Sequence, residues 1–255
     1  MNVAIIGSGN TASVLGRLLK QNQYNIVQVA SRNEAHAKIL ADELGARYTD
    51  LNGLIDITAD FYILAVSDAA ITDCLQFLKV QNKPVVHTAG SVSKDILKSV
   101  SANYGVLYPL QTLRKEMLDI PEIPMLIEAS NKNTLNQILE IVFSISKDVR
   151  VIDEDSRIKI HLAAVVVNNF TNHLYALAEN YCEQEQLDFG LLKPLIKETA
   201  SRIAHLSPSK VQTGPAIRND VRTIDKHMNL LNDYPELKAL YLKLSNSIIN
   251  FNDKG

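Results

Sequence analysis

The stretch "VAIIGSGNTASVLGRLL", Val3 to Leu19, decides how the chain begins. Val3 to Ile6 is a run of apolar β-formers that stops at Gly7. G-x-G-x-x-A follows at Gly7, Gly9 and Ala12, and then apolar residues at helical spacing, Val14, Leu15, Leu18 and Leu19. That is strand, tight turn and helix, the setting in which the glycine pattern carries a phosphate-binding meaning. The first glycine permits the turn, the second lets backbone amides approach a pyrophosphate, and the small third residue lets helix pack closely on strand. The helix N-terminus adds partial positive charge.

Working outward, the first half alternates strand and helix. "NIVQVAS" reads as a second strand, and "NEAHAKILADEL" as a helix that Gly45 is placed to end. "ARYTDL", "FYILAV", "PVVH", "YGVLY", "PMLIEA" and "KDVRVI" complete the series, with a helix around "NTLNQILEIVFSI". "FYILAV" is apolar on both faces, as a strand buried between helix layers must be. Alternation of this kind implies parallel pairing and a doubly wound sheet, the Rossmann arrangement. From about Asp153 no strand-like run appears. Residues 156 to 186 contain neither Gly nor Pro, and further helical patterns run to the end, with Pro194 in the first turns of one of them. The expected organisation is an α/β dinucleotide-binding domain, residues 1–152, followed by an all-α domain, residues 153–255.

The end of the second strand selects the dinucleotide. An NAD site places a carboxylate there to accept from the ribose hydroxyls. Here the place reads Ser31-Arg32-Asn33. Arg32 would pair with a 2′-phosphate through a planar charge-assisted fork, so the pattern favours NADP. Ligands of open parallel sheets bind beyond the strands' carboxyl ends. Those ends read Ala65-Val66-Ser67-Asp68, where Asp68 also suits a helix N-cap, then His87 to Ser91 and Tyr108 to Thr112. Small and polar residues with one His and one Tyr, His87 and Tyr108, could line a nicotinamide pocket, and for His87 a hydrogen-bonded structural role stands beside a catalytic one.

The second half adds two signals. "HLAAVVVNNFTNHLYALAEN" is apolar almost all round, so a buried helix is expected. His161, Asn168, Asn172, Tyr175 and Glu179 are spaced by seven, four, three and four residues, which puts them on one stripe of an α-helix. Such a stripe suggests a polar cleft or a subunit interface; as a cleft it would face the strand ends, with His161 as a candidate acid and Asn168 and Asn172 as donors. "TGPAIRND" presents Arg218, able to hold a carboxylate bidentately, just before another helix.

Composition narrows the partners. Of 255 residues, 26 are basic and 28 acidic, without a basic cluster, so nothing points to nucleic acid. No apolar run reaches the ~20 residues of a membrane helix, and the sequence shows no charged leader with a cleavage site. Cys74 and Cys182 make no disulfide framework, and no Cys/His spacing suggests a metal. The expectation is a cytoplasmic protein with a small-molecule substrate and no metal.

"GSGNTA", "VASR", "AVSD", "HTAGS", "YPLQT", "HLAAVVVNNFTNHLYAL" and "TGPAIRND", in that order, resemble a bacterial family that joins a Rossmann-like domain to an uncharacterised helical domain. Its members carry the label NADP oxidoreductase, coenzyme F420-dependent. More distantly the layout is similar to pyrroline-carboxylate reductase, ketopantoate reductase and 6-phosphogluconate dehydrogenase. The resemblance implies hydride transfer in a cleft between the domains and homodimers built through the helical domain. It assigns Gly7, Ser8, Gly9, Asn10, Thr11 and Ala12 to the pyrophosphate, Ser31 and Arg32 to the 2′-phosphate, and Ala65, Val66, Ser67 and Asp68 to the nicotinamide side. The hydroxyacid-dehydrogenase relatives carry a Lys and, four residues later, an Asn on the long helix. Here Lys159 is followed at that spacing by Ala163. The reading is an NADP(H)-dependent oxidoreductase acting on a small carbonyl or imine. Its rivals are a non-catalytic NADP-binding sensor or scaffold and a deazaflavin–NADP oxidoreductase.

Overall fold

A computed structural model describes residues 1–252 except 52, 54, 79 and 81. Its sheet is built from β1 (Asn2–Ile6), β2 (Asn25–Ala30), β3 (Arg47–Thr49), β4 (Phe61–Leu64), β5 (Val85–His87), β6 (Tyr104–Pro109), β7 (Met125–Ala129) and β8 (Val149–Val151). The spatial order is β3-β2-β1-β4-β5-β6-β7-β8. The chain runs outward from β1 in one direction, returns, and runs outward from β4 in the other. The switch point of a doubly wound sheet therefore lies between β1 and β4, beside the glycine turn.

The burial pattern explains why the sheet sits between two layers. Val3 and Ile5 of β1 face one way, into a core with Leu15 and Leu19 of α1 (Asn10–Gln21), Leu40 and Leu44 of α2 (Glu34–Leu44), and Ile138 and Ile141 of α4 (Lys132–Ile145). Ala4 and Ile6 face the other way, into a core with Tyr62, Leu64, Leu97, and Ile71 and Cys74 of α3 (Ile71–Leu75). A strand covered on both faces needs apolar side chains at every position, which "VAII" and "FYIL" supply. Gly45 ends α2 at φ 71°, in the left-handed conformation a glycine adopts without strain.

The expected all-parallel sheet is corrected at one pair. β6 and β7 run antiparallel, whereas every other neighbouring pair is parallel. Parallel strands need a long crossover, usually a helix, and residues 110–124 contain none. After β7 the helix α4 supplies a crossover, and β8 lies parallel to β7.

Contacts divide the chain into two compact units, Met1–Val167 and a second from Asn168 onward. Asp153, where the strands were expected to cease, is the N-cap of α5 (Glu154–Ala164), its carboxylate accepting from the Ser156 amide. The division itself falls later, inside a π-helical turn over Val165–Phe170. The second unit holds α6 (Thr171–Gln184), α7 (Lys193–Ile203), α8 (Val221–Leu230) and α9 (Pro235–Asn252). Pro194 stands in the first turn of α7, where its missing N–H costs nothing.

The apolar stretch expected to be a buried helix is exposed instead. Val167 is 71% exposed and Phe170 58%, and among the described residues of the second unit the buried hydrophobics are Cys182, Ala216 and Leu231. Periodicity reports which side chains require cover; it does not say that the same chain provides it. Among the described residues no helix is long and apolar enough to cross a membrane, and no group of three His, Cys, Asp or Glu is placed to hold a metal ion.

Candidate functional site

The glycine turn shapes one side of a cavity of about 170 Å³ lined by Gly7, Ser8, Gly9, Ser31, Arg32, Leu51, Ala65, Val66 and Ser67. Gly7 has φ 124°, and a Cβ there would stand 2.1 Å from the Ala65 carbonyl oxygen. Only glycine lets the turn close onto the end of β4. A Cβ on Gly9 would meet nothing within 4 Å, so that glycine keeps open space in front of the backbone. Gly9 is also the N-cap of α1, and no side chain caps this helix. Its first amides are left for an anion.

The neighbouring side chains agree with that use. Ser8 Oγ donates to Ser31 Oγ at 2.8 Å, tying the turn to the end of β2. Arg32 is exposed at the rim. The Asn10 side-chain oxygen accepts from the Lys115 amide at 3.1 Å, which fastens the segment after β6 to the start of α1. Ala12 is buried in the core under the turn. The cradle therefore fits a dinucleotide phosphate: a left-handed glycine, an uncapped helix and the Arg32 cation at the rim.

Asp68 begins a short 3-10 turn, with Ser67 in the cap position, and its carboxylate accepts from Ser91 Oγ at 2.5 Å. The helix-capping role expected of Asp68 gives way to this bond between two strand ends.

For His87 the geometry favours the structural of its two readings. It is fully buried, its Nδ1 accepts from the Ala89 amide at 3.2 Å, and its Nε2 lies 3.2 Å from the Ser93 carbonyl oxygen, to which it donates. Both ring nitrogens are engaged by backbone, so none faces a substrate. Burial, reinforced by the charge of Arg157, lowers its pKa to about 4. His87 is a structural histidine that shapes the loop after β5.

The group that could exchange a proton lies beside that loop. Tyr108, near the end of β6, and His161 of α5 meet with the phenol oxygen 2.8 Å from Nδ1, their rings edge to face. Gly90 lies directly beneath: a Cβ on it would stand 2.6 Å from His161 Nδ1 and 2.8 Å from Tyr108 Cζ. Burial raises the Tyr108 pKa, so the phenol keeps its proton at neutral pH. Of the sequence-derived candidates, the sheet unit thus joins His161 to Tyr108.

The remaining candidates belong to the helical unit. Asn168 lies within the π-helical turn, Asn172 is exposed in the first turn of α6, and Arg218 is exposed just before α8. Asp220 of the same turn caps α8 by accepting from the Thr223 amide at 3.1 Å. The seven-residue spacing from His161 to Asn168 assumed an unbroken α-helix; a π-helical turn carries more residues per turn, so the single stripe does not hold through it.

Arg157, beside the Tyr108–His161 pair, was not singled out by the sequence pattern. It is fully buried and donates to the carbonyls of Ala89 and Gly90 at 3.3 and 2.8 Å and to Glu128 of β7 at 3.3 Å. An arginine four residues before His161 was visible, but its burial was not.

The family description NADP oxidoreductase, coenzyme F420-dependent, matches residues 2–90, and a domain of unknown function, DUF2520, matches residues 123–248. A solved protein of Bacteroides fragilis, described as a candidate NADP oxidoreductase, is 39% identical over 98% of both chains, with a TM-score of 0.91. The chain belongs to this NADP oxidoreductase family. Two more distant structures share the family's fold. A reductive aminase from Aspergillus terreus in complex with NADPH is 15% identical over 100% of this chain and 94% of its own, with a TM-score of 0.72. A pyrroline-5-carboxylate reductase from Coxiella burnetii is 19% identical over 99% of this chain and 97% of its own, with a TM-score of 0.53.

Proposed function

We propose that the chain binds NADP(H) at the glycine turn and reduces a small carbonyl or imine, with Tyr108 and His161 supplying the proton. The observation that carries the reading is the Tyr108–His161 pair, seated on Gly90 in the loop that follows β5, at the carboxyl edge of the same sheet as the phosphate cradle. The solved relatives that bind NADPH or are named for imine chemistry support the same reaction class.

The amides at the start of α1 and the Arg32 guanidinium hold the phosphates, and the contact-free space before Gly9 admits them. When bound, NADPH supplies the hydride. Reduction of a C=O or C=N bond leaves negative charge on the oxygen or nitrogen, and a proton must arrive there. The Tyr108 hydroxyl, whose pKa burial raises, lies 2.8 Å from His161 Nδ1, so a proton can pass along the pair to the reduced substrate. Asp68 and Ser91, bonded to each other, fix the adjoining strand ends.

The direct test follows loss of reduced-nicotinamide absorbance with a panel of cyclic imines and keto acids. The reading expects consumption with at least one substrate, and a fall of about a hundredfold in kcat in Tyr108→Phe and His161→Asn with NADPH affinity retained. Tight NADPH binding without turnover across the panel would favour the non-catalytic sensor. Turnover confined to a reduced deazaflavin would favour that exchange reaction.

We further propose that the chain forms a homodimer through its helical unit. Leu187, Leu191, Leu195 and Phe251 are more than half exposed in a unit that buries few hydrophobic side chains among its described residues. Exposed apolar side chains call for cover, and a second copy would supply it by symmetry.

A further inference from the structure

We propose that Arg157 is a positioning residue for the proton-supplying pair: its buried guanidinium fastens α5 to the loop after β5 and so holds His161 against Tyr108. The proposal rests on reading Tyr108 and His161 as that pair.

A fully buried guanidinium gives up its hydration, and an apolar side chain of similar volume would fill the same space without that loss. Here the loss is offset by a specific set of acceptors. One terminal nitrogen donates to the Ala89 and Gly90 carbonyls, and the other to Glu128 Oε2. Glu128 is itself held from the far side, where Lys94 Nζ donates to its Oε1 at 2.6 Å. The Arg157 Nε is buried without a partner, so the side chain is held entirely by its two terminal nitrogens.

Glu154, Arg157 and His161 stand at i, i+3 and i+7, one side of α5. Each reaches the same short stretch of chain. Glu154 accepts from Ser93 Oγ at 2.5 Å, Arg157 grips the Ala89 and Gly90 carbonyls, and His161 rests over Gly90 with its Nδ1 on Tyr108. Gly90 is the hinge between the last two contacts, since its carbonyl is fixed by Arg157 and its bare Cα is the seat of the imidazole and phenol. Displacing that carbonyl moves the floor on which the pair meets. A guanidinium reaches the carbonyls and the carboxylate through two separate nitrogens in a fixed fork; an ammonium is a single point donor.

The test reads the imidazole in the cofactor-free protein, so it does not depend on turnover. Ring-nitrogen NMR of 15N-histidine protein is recorded for the wild type, with His161→Asn identifying the His161 signals and Tyr108→Phe showing them without the phenol bond. Two variants probe the clamp: Arg157→Lys, which keeps the charge, and Arg157→Met with Glu128→Leu, which replaces the buried pair by apolar bulk. We expect each variant that folds by circular dichroism to shift the His161 signals toward their Tyr108→Phe positions. With NADPH and a productive substrate, kcat should fall by about tenfold or more, as expected for a displacement of an ångström or less, while NADPH affinity stays within about twofold. His161 signals at their wild-type positions in either folded variant overturn the proposal, because a merely structural arginine would leave them there. A wild type without turnover on any carbonyl or imine would refute the functional reading, while the ring signals would still decide whether Arg157 sets the pair.

Discussion

Replacing His87 by glutamine should change how the stability of the protein depends on pH. The ordinary histidine pKa is near ~6.5, and burial brings that of His87 to about 4. At higher pH both folded and unfolded chains hold the ring neutral, and the group contributes no slope. As the pH falls below ~6.5, the unfolded chain binds a proton that the folded chain refuses until about pH 4. Stability therefore declines through that window and levels off below it. The shift corresponds to a loss on the order of 3 kcal/mol, taken without a screening discount because the ring is fully buried. Protonation is opposed for a concrete reason: a second ring N–H would point at the Ala89 amide, another donor. Glutamine can donate to the Ser93 carbonyl and accept from the Ala89 amide in the same way, but it does not titrate. Urea denaturation of both proteins across the pH range gives the comparison, in which titrations common to the two cancel. The wild type should lose about 2–3 kcal/mol relative to His87→Gln between about pH 7.5 and about pH 4.5. Parallel stability profiles, or a His87 ring that titrates near ~6.5 by NMR, would refute the reasoning.

Three further outcomes are expected. Gly7→Ala should cost about 2–3 kcal/mol in denaturant unfolding and abolish NADPH binding, because the new Cβ meets the Ala65 carbonyl and the residue sits at φ 124°; unchanged binding by calorimetry would count against the cradle. Arg32→Ala should weaken NADPH by about 1.5–3 kcal/mol and leave NADH nearly unaffected, and a wild type that binds both equally would remove the 2′-phosphate contact from consideration. Light scattering should give the mass of two chains, and Leu191→Lys with Phe251→Lys should shift it toward one; a single-chain mass for the wild type at all concentrations would end the dimer proposal.

Much of the sheet unit was legible because its signals are local. A β-run followed by G-x-G-x-x-A, a glycine just past "ADEL" and a proline opening α7 act within a few residues of backbone, where sterics and unsatisfied amides dictate the outcome. Gly7, Ser8, Gly9, Ser31, Arg32 and the end of β4, which the sequence pattern groups together, line one cavity. The antiparallel turn into β7 was also written in the chain, as a connection without a helix, although the alternating pattern around it obscured the sign.

What only the tertiary structure decided involves partners distant in the chain. Tyr108 and His161 are separated by 53 residues, and Arg157 lies 67 residues from the carbonyl it grips most closely. Nothing in their own neighbourhoods distinguishes His87, spent on backbone amides and carbonyls, from His161, which meets a phenol. The π-helical turn in "VVVNNF" likewise left no mark by which the spacing of the polar stripe could be corrected. Side-chain periodicity records a demand, for apolar cover or for a hydrogen-bond partner, within one element. Which element answers it is set by strand order, register and the close approach a glycine permits, and those exist only once the chain has folded.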